Sequence, residues 1–553
     1  MFFNRDKSAR LFTLLVLVVM IASALLTGCK SATETEEAAP PSGEVSPTEA
    51  PAVKPTEPPA AEEEEFTLVW AYERGPSELD PHDPRGTPDN EIVSYLTHNS
   101  LVRLTVDDPS LVEPDIAKSW DISEDGTVYT FHLRDDVYFW DDWGKMTADD
   151  VVFSIERVMT NEELRSHSKV LKIKTITAID EYTVEIVFDE PYPSFLPAIA
   201  ANYATAVISK AAYESLGAEE FRLYPVGTGP YKIESWNPGE EVTLVAHEKY
   251  FRGEPEIKRV ELVVQPDEAA SALALQKGEV NFLIIRGPSM WQALKDAEGI
   301  TINNDPSIST NVLLFWLNTT RPGLDNVLVR QALAYAIDRQ ALADTIGEGM
   351  NGGAANCFLP KSIFGNTEDI TQYPYDPEMA KALLKDAGYE DGLELVAVTH
   401  RSGVYVPALE AVQSYWAAVG VTLQIDVVER LERNERLQQT GDFDISVMDV
   451  GRIEPSEWLG EYFFSENIPP VGRVYTRYTT PELDQLIIDQ NTEADPEERK
   501  KIIHQVLQIL SDEVPVIPLY YLVNVTAYSD FLDCELPNLY TWNTRFDQCV
   551  VNK

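Results

Sequence analysis

The sequence predicts an α/β protein of two or three domains, and three observations support this. Apolar and polar residues alternate in short runs such as 182–188, which is typical of strands. Between these runs apolar residues recur at helical spacing, as in 151–158, so strands and helices follow one another along the chain. The 553 residues are also more than one hydrophobic core usually holds.

The composition is strongly acidic. The chain has 91 Asp and Glu against 44 Lys and Arg, a formal net charge of -47. Such a surface repels nucleic acid phosphates and anionic lipid headgroups, which argues against DNA or RNA as a partner. Hydrophobic residues still make up 44% of the chain, enough for most of it to fold.

The first 29 residues have the pattern of a signal peptide. A basic start up to Arg10 is followed by an apolar run from Leu11 to Leu26, and small residues lead to Cys29. This ending resembles the bacterial lipobox, in which cleavage occurs before the cysteine and its thiol is lipidated, so Cys29 is the predicted lipidation site. The alternative is an ordinary secretory peptide with a chance cysteine. No other run is long and apolar enough to cross a bilayer.

Residues 30–65 are predicted to be a disordered tether. They consist almost wholly of Ala, Pro, Glu, Ser and Thr and end in consecutive glutamates, so they lack the apolar content for a core. At about 3.1 Å per residue, the stretched segment would span on the order of 100 Å. The folded part could therefore move some distance from the membrane surface.

A β-hairpin is predicted around the turn signal Asp125-Gly126, after a first strand over 67–71. On both sides of the turn apolar and polar residues alternate, which indicates one buried and one exposed face. Further along, Thr147 stands three residues before Asp150 at the start of an apolar helical pattern, so Thr147 is the expected N-cap of a helix. The apolar positions of the hairpin are Trp120, Ile122, Tyr129, Phe131 and Leu133.

These elements carry motifs that resemble one family. The stretch 111–158, V-G-T-G-P-Y at 226–231 and V-R-Q-A-L-A-Y-A-I-D-R at 329–339 closely match motifs of the bacterial extracellular solute-binding proteins of family 5, the peptide and nickel binding proteins of ABC importers. Further matches recur in the same order over 68–519. One departure is Phe-Trp-Asp-Asp at 139–142, where the family has Phe-His-Asp-Gly.

The resemblance implies a two-lobed, periplasmic-binding-protein-like clamp of type II. Lobe I is expected over 66–308 with a C-terminal return at 524–553, and an extra subdomain is expected as an insertion near 104–219. Lobe II is expected over 309–523. In proteins of this kind the lobes close around a ligand by a hinge motion.

It also implies a function. A lipid-anchored binding protein of an ABC importer would capture a small solute, here an oligopeptide, between its lobes and deliver it to permease subunits. It would act as a monomer at the outer face of the cytoplasmic membrane, without a cofactor and without catalysis. Three alternatives stay open: the same fold with an oligosaccharide, an anionic solute or a chelated metal; an extracellular hydrolase; a surface adhesin or sensor. Against the hydrolase, the sequence lacks G-x-S-x-G and H-E-x-x-H motifs.

Ligand-binding residues are suggested by the family's strand that precedes its amine-binding aspartate. The corresponding strand here is expected over 443–448, and alignment with the family places that aspartate at Gly451. Asp449 lies two residues earlier, and Arg452 adds a positive charge. These departures, with Met448 in place of an aromatic residue, argue for an anionic or sugar-like ligand as an alternative to a free peptide.

Three more residues are candidates, each with a plain structural alternative. Arg401 could bind a carboxylate in a bidentate manner, or could be a solvated loop arginine. Trp316 and Trp140 could stack on a ligand, but buried core aromatics are commoner than binding ones. Asp449 and Arg452 could also simply pair with each other.

The remaining cysteines and histidines complete the predictions. In an extracellular compartment Cys534 and Cys549 are natural disulfide partners, and their bond would pin the C-terminal return. This leaves Cys357 without a partner. A metal site involving His400 is an alternative, but no His and Cys pair stands at ligand spacing, so no metal is expected.

Overall fold

A computed structural model describes the folded part of the chain. The predicted signal peptide, the lipidation site Cys29 and the tether lie outside the described residues. Within the described ranges, no helix is long and apolar enough to span a bilayer. These ranges are 66–83, 88–105, 111–164, 166–200, 205–305, 309, 311–534 and 545–552.

Strands and helices alternate along most of the chain, as the sequence pattern predicts. In chain order the strands are β1 Thr67–Tyr72, β2 Val102–Leu104, β3 Val112–Pro114, β4 Ala117–Ile122, β5 Val128–Leu133, β6 Ile173–Asp180, β7 Thr183–Phe188, β8 Tyr231–Asn237, β9 Glu241–Ala246, β10 Arg259–Val264, β11 Phe282–Ile285, β12 Ile300–Asn303, β13 Asn311–Leu317, β14 Asn351–Ala354, β15 Leu393–Thr399, β16 Val421–Val427, β17 Ile445–Gly451, β18 Val516–Leu522, β19 Val525–Ser529, β20 Leu532–Asp533 and β21 Val550–Val551.

The α-helices lie mostly between these strands. They are α1 Pro88–Thr97, α2 Ala148–Thr160, α3 His167–Val170, α4 Phe195–Ala200, α5 Lys210–Leu216, α6 Ala218–Phe221, α7 Glu268–Gln276, α8 Pro288–Leu294, α9 Val327–Tyr335, α10 Arg339–Ile346, α11 Pro377–Asp386, α12 Tyr405–Ala417, α13 Arg430–Glu435, α14 Pro455–Phe463, α15 Pro481–Thr492 and α16 Pro496–Glu513.

Three larger sheets organise the molecule. A seven-stranded sheet has the order β12-β19-β11-β1-β10-β9-β8, and a six-stranded sheet has the order β14-β18-β13-β17-β15-β16. A four-stranded antiparallel sheet, β4-β5-β7-β6, is built from a segment inserted after β1 and before β8. We name the part around the seven-stranded sheet lobe I, the part around the six-stranded sheet lobe II, and the part around the four-stranded sheet the inserted subdomain. The residue limits expected for these parts stay a prediction.

The predicted hairpin is present as β4 and β5, but only one of its strands has the expected buried face. Tyr129, Phe131 and Leu133 of β5 are buried in the core of the inserted subdomain. Ile122 of β4, expected on the buried face, is 47% exposed. The reason is that β4 is the edge strand of its sheet, where fewer neighbours cover each side chain.

The expected helix start is confirmed. Helix α2 begins directly after Thr147, whose backbone N–H donates to Asp150 Oδ2 at 3.0 Å. The other carboxylate oxygen of Asp150 accepts from the backbone N–H of Lys210 at 3.1 Å. Asp150 therefore both closes the first turn of α2 and attaches the start of α5 to it.

A buried ionic group joins lobe I to the inserted subdomain. Arg157 of α2 donates to both carboxylate oxygens of Asp80, at 3.0 and 2.5 Å, and to His82 Nδ1 at 2.7 Å. His82 Nε2 lies 2.8 Å from the carbonyl oxygen of Ala206. Because the guanidinium can only donate, Nδ1 is the acceptor and Nε2 carries the proton. The geometry therefore requires a neutral His82.

Strands β13 and β17 pair antiparallel at the centre of the lobe II sheet. Their register places Asn311 opposite Gly451 and Leu313 opposite Asp449. The strand expected over 443–448 thus starts later and runs further, through Gly451. A Cβ atom on Gly451 would lie 1.8 Å from Asn311 Oδ1, so only glycine fits there without a shift of Asn311.

The cysteines are placed in two different environments. Cys534 and Cys549 form a disulfide with a Cα–Cα distance of 4.3 Å, next to the short β20–β21 ladder. Cys357 is a free thiol buried in the core of lobe II. Burial raises the pKa of the Cys357 thiol to about 11, so it stays protonated and unreactive near neutral pH.

The buried His82 should make the fold less stable in mild acid. Burial, and then the charge of Arg157, lowers the pKa of His82 from 6.5 to about 4, so the unfolded chain takes up a proton in this range while the folded protein does not. We expect this group to lower the free energy of unfolding by about 1.4 kcal/mol per pH unit as the pH falls from 6.5 towards 4. Denaturant unfolding of the wild type and His82→Gln across this range measures the effect. Equal slopes against pH in both proteins would contradict it.

Gly451 and Gly460 should respond to alanine in opposite directions. Gly451→Ala forces a clash with Asn311 in the middle of a sheet, and we expect a loss of about 1–3 kcal/mol in the free energy of unfolding. Gly460 lies within α14, where an added Cβ meets nothing within 4 Å, so Gly460→Ala should add about 0.5–1 kcal/mol. Thermal or denaturant unfolding of both variants tests the pair. A Gly451→Ala protein as stable as the wild type would refute the register argument.

Candidate functional site

Polar side chains from five elements meet at one edge of the lobe II sheet, the edge at which strands β15 and β17 end. They surround a carboxylate on β17 and come from the start of α12, from α13, from the loop after β15 and from β18. We name this group the Asp449 cluster, and its members are Asp449, Tyr405, Arg433, His400 and Tyr520.

Asp449 is held by Tyr405. The Tyr405 hydroxyl donates to Asp449 Oδ1 and accepts from the Asp449 backbone N–H at 3.3 Å. Burial, and then the negative charge of Asp449, raises the pKa of Tyr405 well above its usual value, so the hydroxyl keeps its proton. Tyr405 thereby fixes one carboxylate oxygen of Asp449 as an acceptor.

An arginine and a histidine lie around this carboxylate. Arg433 of α13 is 7% exposed, and its charge interacts with Tyr405 and Asp449. His400 lies with its ring centroid 5.5 Å from that of Tyr405. Burial, and then the charges of Arg433 and Arg430, lowers the pKa of His400 to about 4. His400 is therefore neutral at physiological pH, and the positive charge of this edge comes from arginine.

Several buried polar atoms of the cluster have no hydrogen-bond partner among the described residues. They are His400 Nδ1, Arg433 Nε and the Tyr520 hydroxyl. Buried polar atoms in folded proteins are nearly always paired, because leaving one unpaired costs about 1–3 kcal/mol. Three such atoms around one carboxylate indicate a place where a bound molecule supplies the missing partners.

Lobe I brings a second charged pair close to this edge. Arg286, just after β11, lies with Nη1 3.6 Å from Glu73 Oε2, and its Nη2 is buried with no partner among the described residues. A Cβ atom on Gly403, in the loop that carries His400, would lie 3.5 Å from the Arg286 carbonyl oxygen. The two lobes therefore approach each other at this point.

Gly451 lies on the same face of β17 as Asp449, because side chains two residues apart in a strand point to the same side. Asn311 from β13 covers Gly451, and its Oδ1 is a further buried atom without a partner in the described structure. The position that aligns with the family's aspartate thus holds no carboxylate. Asp449, two residues earlier on the same face of the strand, does present a carboxylate.

Arg452 and Trp316 are placed away from the Asp449 cluster. Arg452 donates to Glu461 Oε2 from Nε at 3.1 Å and from Nη2 at 2.7 Å. Trp316 is 0% exposed and lies in the core on the other face of the sheet, with Trp458. This position favours the interpretation of Trp316 as a core aromatic side chain.

Trp140 and Arg401 are also separate from the cluster. Trp140 is 4% exposed in the core of the inserted subdomain, with its ring centroid 5.8 Å from that of His98. Arg401 is exposed on the loop next to His400. Of the six candidates from the sequence, the structure places Asp449 and Gly451 together on one face of β17.

Sequence reasoning missed Tyr405, Arg433, Tyr520 and Arg286. Each lies in a different element, and nothing in its local pattern distinguishes it from a surface or core residue. His400 was considered only as a metal ligand. Among the described residues no group of three or more His, Cys, Asp or Glu side chains is placed to hold a metal ion.

The chain is similar to known solute receptors over most of its length. It is 28% identical to heme-binding protein A of Haemophilus influenzae over 447 residues, which are 76% of this chain and 80% of that one. It is 27% identical to the dipeptide-binding protein of Escherichia coli over 486 residues, 83% of this chain and 90% of that one.

Solved structures show the same fold. HbpA2 from Haemophilus parasuis superposes with a TM-score of 0.77 at 27% identity, over 88% of this chain and 100% of that one. The periplasmic binding protein DppA from Helicobacter pylori, in complex with the peptide STSA, gives 0.74 at 26% identity, over 88% and 98%. The predicted two-lobed periplasmic-binding-protein fold is therefore confirmed.

A family model supplies the last comparison. The model of the bacterial extracellular solute-binding proteins, family 5, middle region, matches residues 112–468, which is more than half of the chain. Proteins of this family bind solutes and are not enzymes. The chain therefore belongs to the family 5 extracellular solute-binding proteins.

Proposed function

We propose that this protein is the lipid-anchored receptor of an ABC importer, which binds an oligopeptide between its lobes and delivers it to a membrane permease. The observation that carries the proposal is the Asp449 cluster, which contains a carboxylate, a buried arginine and unpaired polar atoms. The loop that carries His400 of this cluster is also where lobe I approaches lobe II. A peptide has a positive end, a negative end and backbone donors and acceptors, and so could satisfy such a mixed set.

Asp449 would accept from the ligand's amino group. Tyr405 occupies Oδ1, so Oδ2 is the oxygen that the ligand would meet. Arg433 and Arg286 would bind the ligand's carboxylate or its carbonyl oxygens, because each has a buried guanidinium nitrogen without a partner in the described structure. The similarity to dipeptide-binding proteins supports this ligand class.

An anionic solute is the second candidate. Arg433 and Arg286 both have an unpaired guanidinium nitrogen, which is more than one terminal carboxylate requires. The positive charges of Arg430 and Arg433 also both act on His400. The relative named for heme binds a molecule with more than one carboxylate. A solute of that kind would use both arginines and would need Asp449 less.

If the protein is attached to the membrane through Cys29, replacing Cys29 should move the protein from the membrane to the soluble fraction. Cys29→Ser removes the thiol that would be acylated, and since each buried methylene contributes about 0.8 kcal/mol, loss of the acyl chains should release the protein from membranes. We expect the variant in the soluble fraction after cell fractionation. Cys357→Ser, which alters a buried thiol of lobe II, is the control and should stay with the membranes. A Cys29→Ser protein that still sediments with membranes would contradict the anchor.

The ligand class is tested by identifying the small molecules that co-purify with the protein. Mass spectrometry of small molecules freed from the purified full chain should show a ladder of mixed peptides. A single compound with several carboxylates would favour the second candidate, and no bound solute in any preparation would count against both.

Asp449 is then tested against that released compound. Asp449→Asn should weaken binding by more than tenfold, about 1.4 kcal/mol, because it removes a buried charge-assisted hydrogen bond. Asp442→Asn, at an exposed position of the same lobe, is the matched control and should change affinity less than twofold. Isothermal titration calorimetry measures both. Equal affinities in the two variants would remove Asp449 from the site.

A further inference from the structure

The inserted subdomain contacts lobe II just after the end of β17, the strand that carries Asp449. Ser194, which precedes α4, donates from Oγ to Glu454 Oε1 at 2.9 Å and lies 2.7 Å from Ser456 Oγ. Glu454 is the N-cap of α14 and follows the end of β17 by three residues. Ser194 is therefore a polar link from the subdomain to the segment that leaves the candidate site.

The contact is buried and has an apolar half. Ser194 is 1% exposed, and Ile453 of lobe II is 2% exposed. Ile453 belongs to the hydrophobic core of the inserted subdomain, together with Phe195 and Ile199. One lobe II side chain thus completes a core that otherwise belongs to the subdomain.

Arg499 of α16 balances the charge of Glu454. It donates from Nη2 to Glu454 Oε1, to Ser194 Oγ at 2.9 Å and to Ser456 Oγ at 3.1 Å. Its Nε donates to the carbonyl oxygen of Gln490 at 3.0 Å. All of these partners except Ser194 are in lobe II, so the ion pair would keep its partners if the subdomain moved away.

We propose that Ser194 and Ile453 are positioning residues, through which the inserted subdomain holds the end of β17 and keeps the Asp449 cluster assembled. This inference rests on the proposed function of a closing receptor. Ser194 contributes one buried hydroxyl to the contact and Ile453 contributes one aliphatic side chain. The charge of Lys172 also acts on Glu454, but the ion pair between Glu454 and Arg499 stays within lobe II when the contact breaks. The contact is therefore suited to form and separate repeatedly.

The geometry gives the contact a specific point of action. The Asp449 backbone N–H donates to Tyr405 and lies four residues from Ile453 along the chain. If the contact separates, the residues from Gly451 to Pro455 lose their support from the subdomain. The hydrogen bond of the Asp449 amide should then open more often.

Hydrogen exchange of the full chain, without added solute and after exhaustive dialysis, tests the proposal. In Ser194→Ala and in Ile453→Ala, amides over 190–196 and 449–457 should exchange at least threefold faster than in the wild type. Small-angle X-ray scattering should show a larger radius of gyration. Unchanged exchange over 449–457 in both variants would overturn the proposal.

Matched controls separate positioning from a general loss of stability. Ser271 is 0% exposed and bonds within lobe I, and Ile257 is 0% exposed in the lobe I core. Ser271→Ala and Ile257→Ala should lower the melting temperature without faster exchange over 449–457. Equal acceleration in controls and test variants would also overturn the proposal. Because no solute is used, an incorrect ligand class would leave these results unaffected.

Discussion

The register between β13 and β17 decides which side chains can meet at the edge of lobe II. Side chains alternate between the two faces of a strand, so the register that pairs Leu313 with Asp449 puts Asp449 and Gly451 on the face that carries Tyr405 and Tyr520. Met448 and Val450 point to the other face, into the core around Trp316 and Trp458. A slip of one residue would exchange the two sets and bury the carboxylate in an apolar core. The candidate site therefore depends on this pairing more than on any single contact within it.

How far the sequence could predict the molecule depends on the distance over which each feature is encoded. The hairpin and the start of α2 follow from neighbouring residues, because turn and cap preferences act within a few positions. The exposure of Ile122 could not be predicted from alternation, since exposure at an edge strand depends on which strands pair with it. The end of β17 was likewise misjudged, because pairing with β13 extends it beyond the apolar run.

The candidate site itself was only partly predictable. Asp449 could be named because it lies beside a motif, whereas Tyr405, Arg433 and Arg286 come from elements separated by many residues. Their side chains acquire a role only when the sheet and the lobes bring them together. Charge gave a misleading impression as well. The chain is strongly acidic overall, yet burial, and then the charges of two arginines, lowers the pKa of His400. Screening weakens charges beyond about 8 Å, so the nearest groups dominate at this position.

The attachments of the inserted subdomain differ greatly between the two lobes. To lobe I it is tied by the buried Arg157–Asp80 ion pair and the neutral His82, which would leave unpaired charges if separated. To lobe II it is linked through Ser194, through Ile453 and through the charge of Lys172 acting on Glu454, while Glu454 and Arg499 keep each other as partners on their own side. Breaking the first attachment is far more costly than breaking the second. The subdomain should consequently move as one body with lobe I. Closure of the two lobes would then change the contacts at the end of β17.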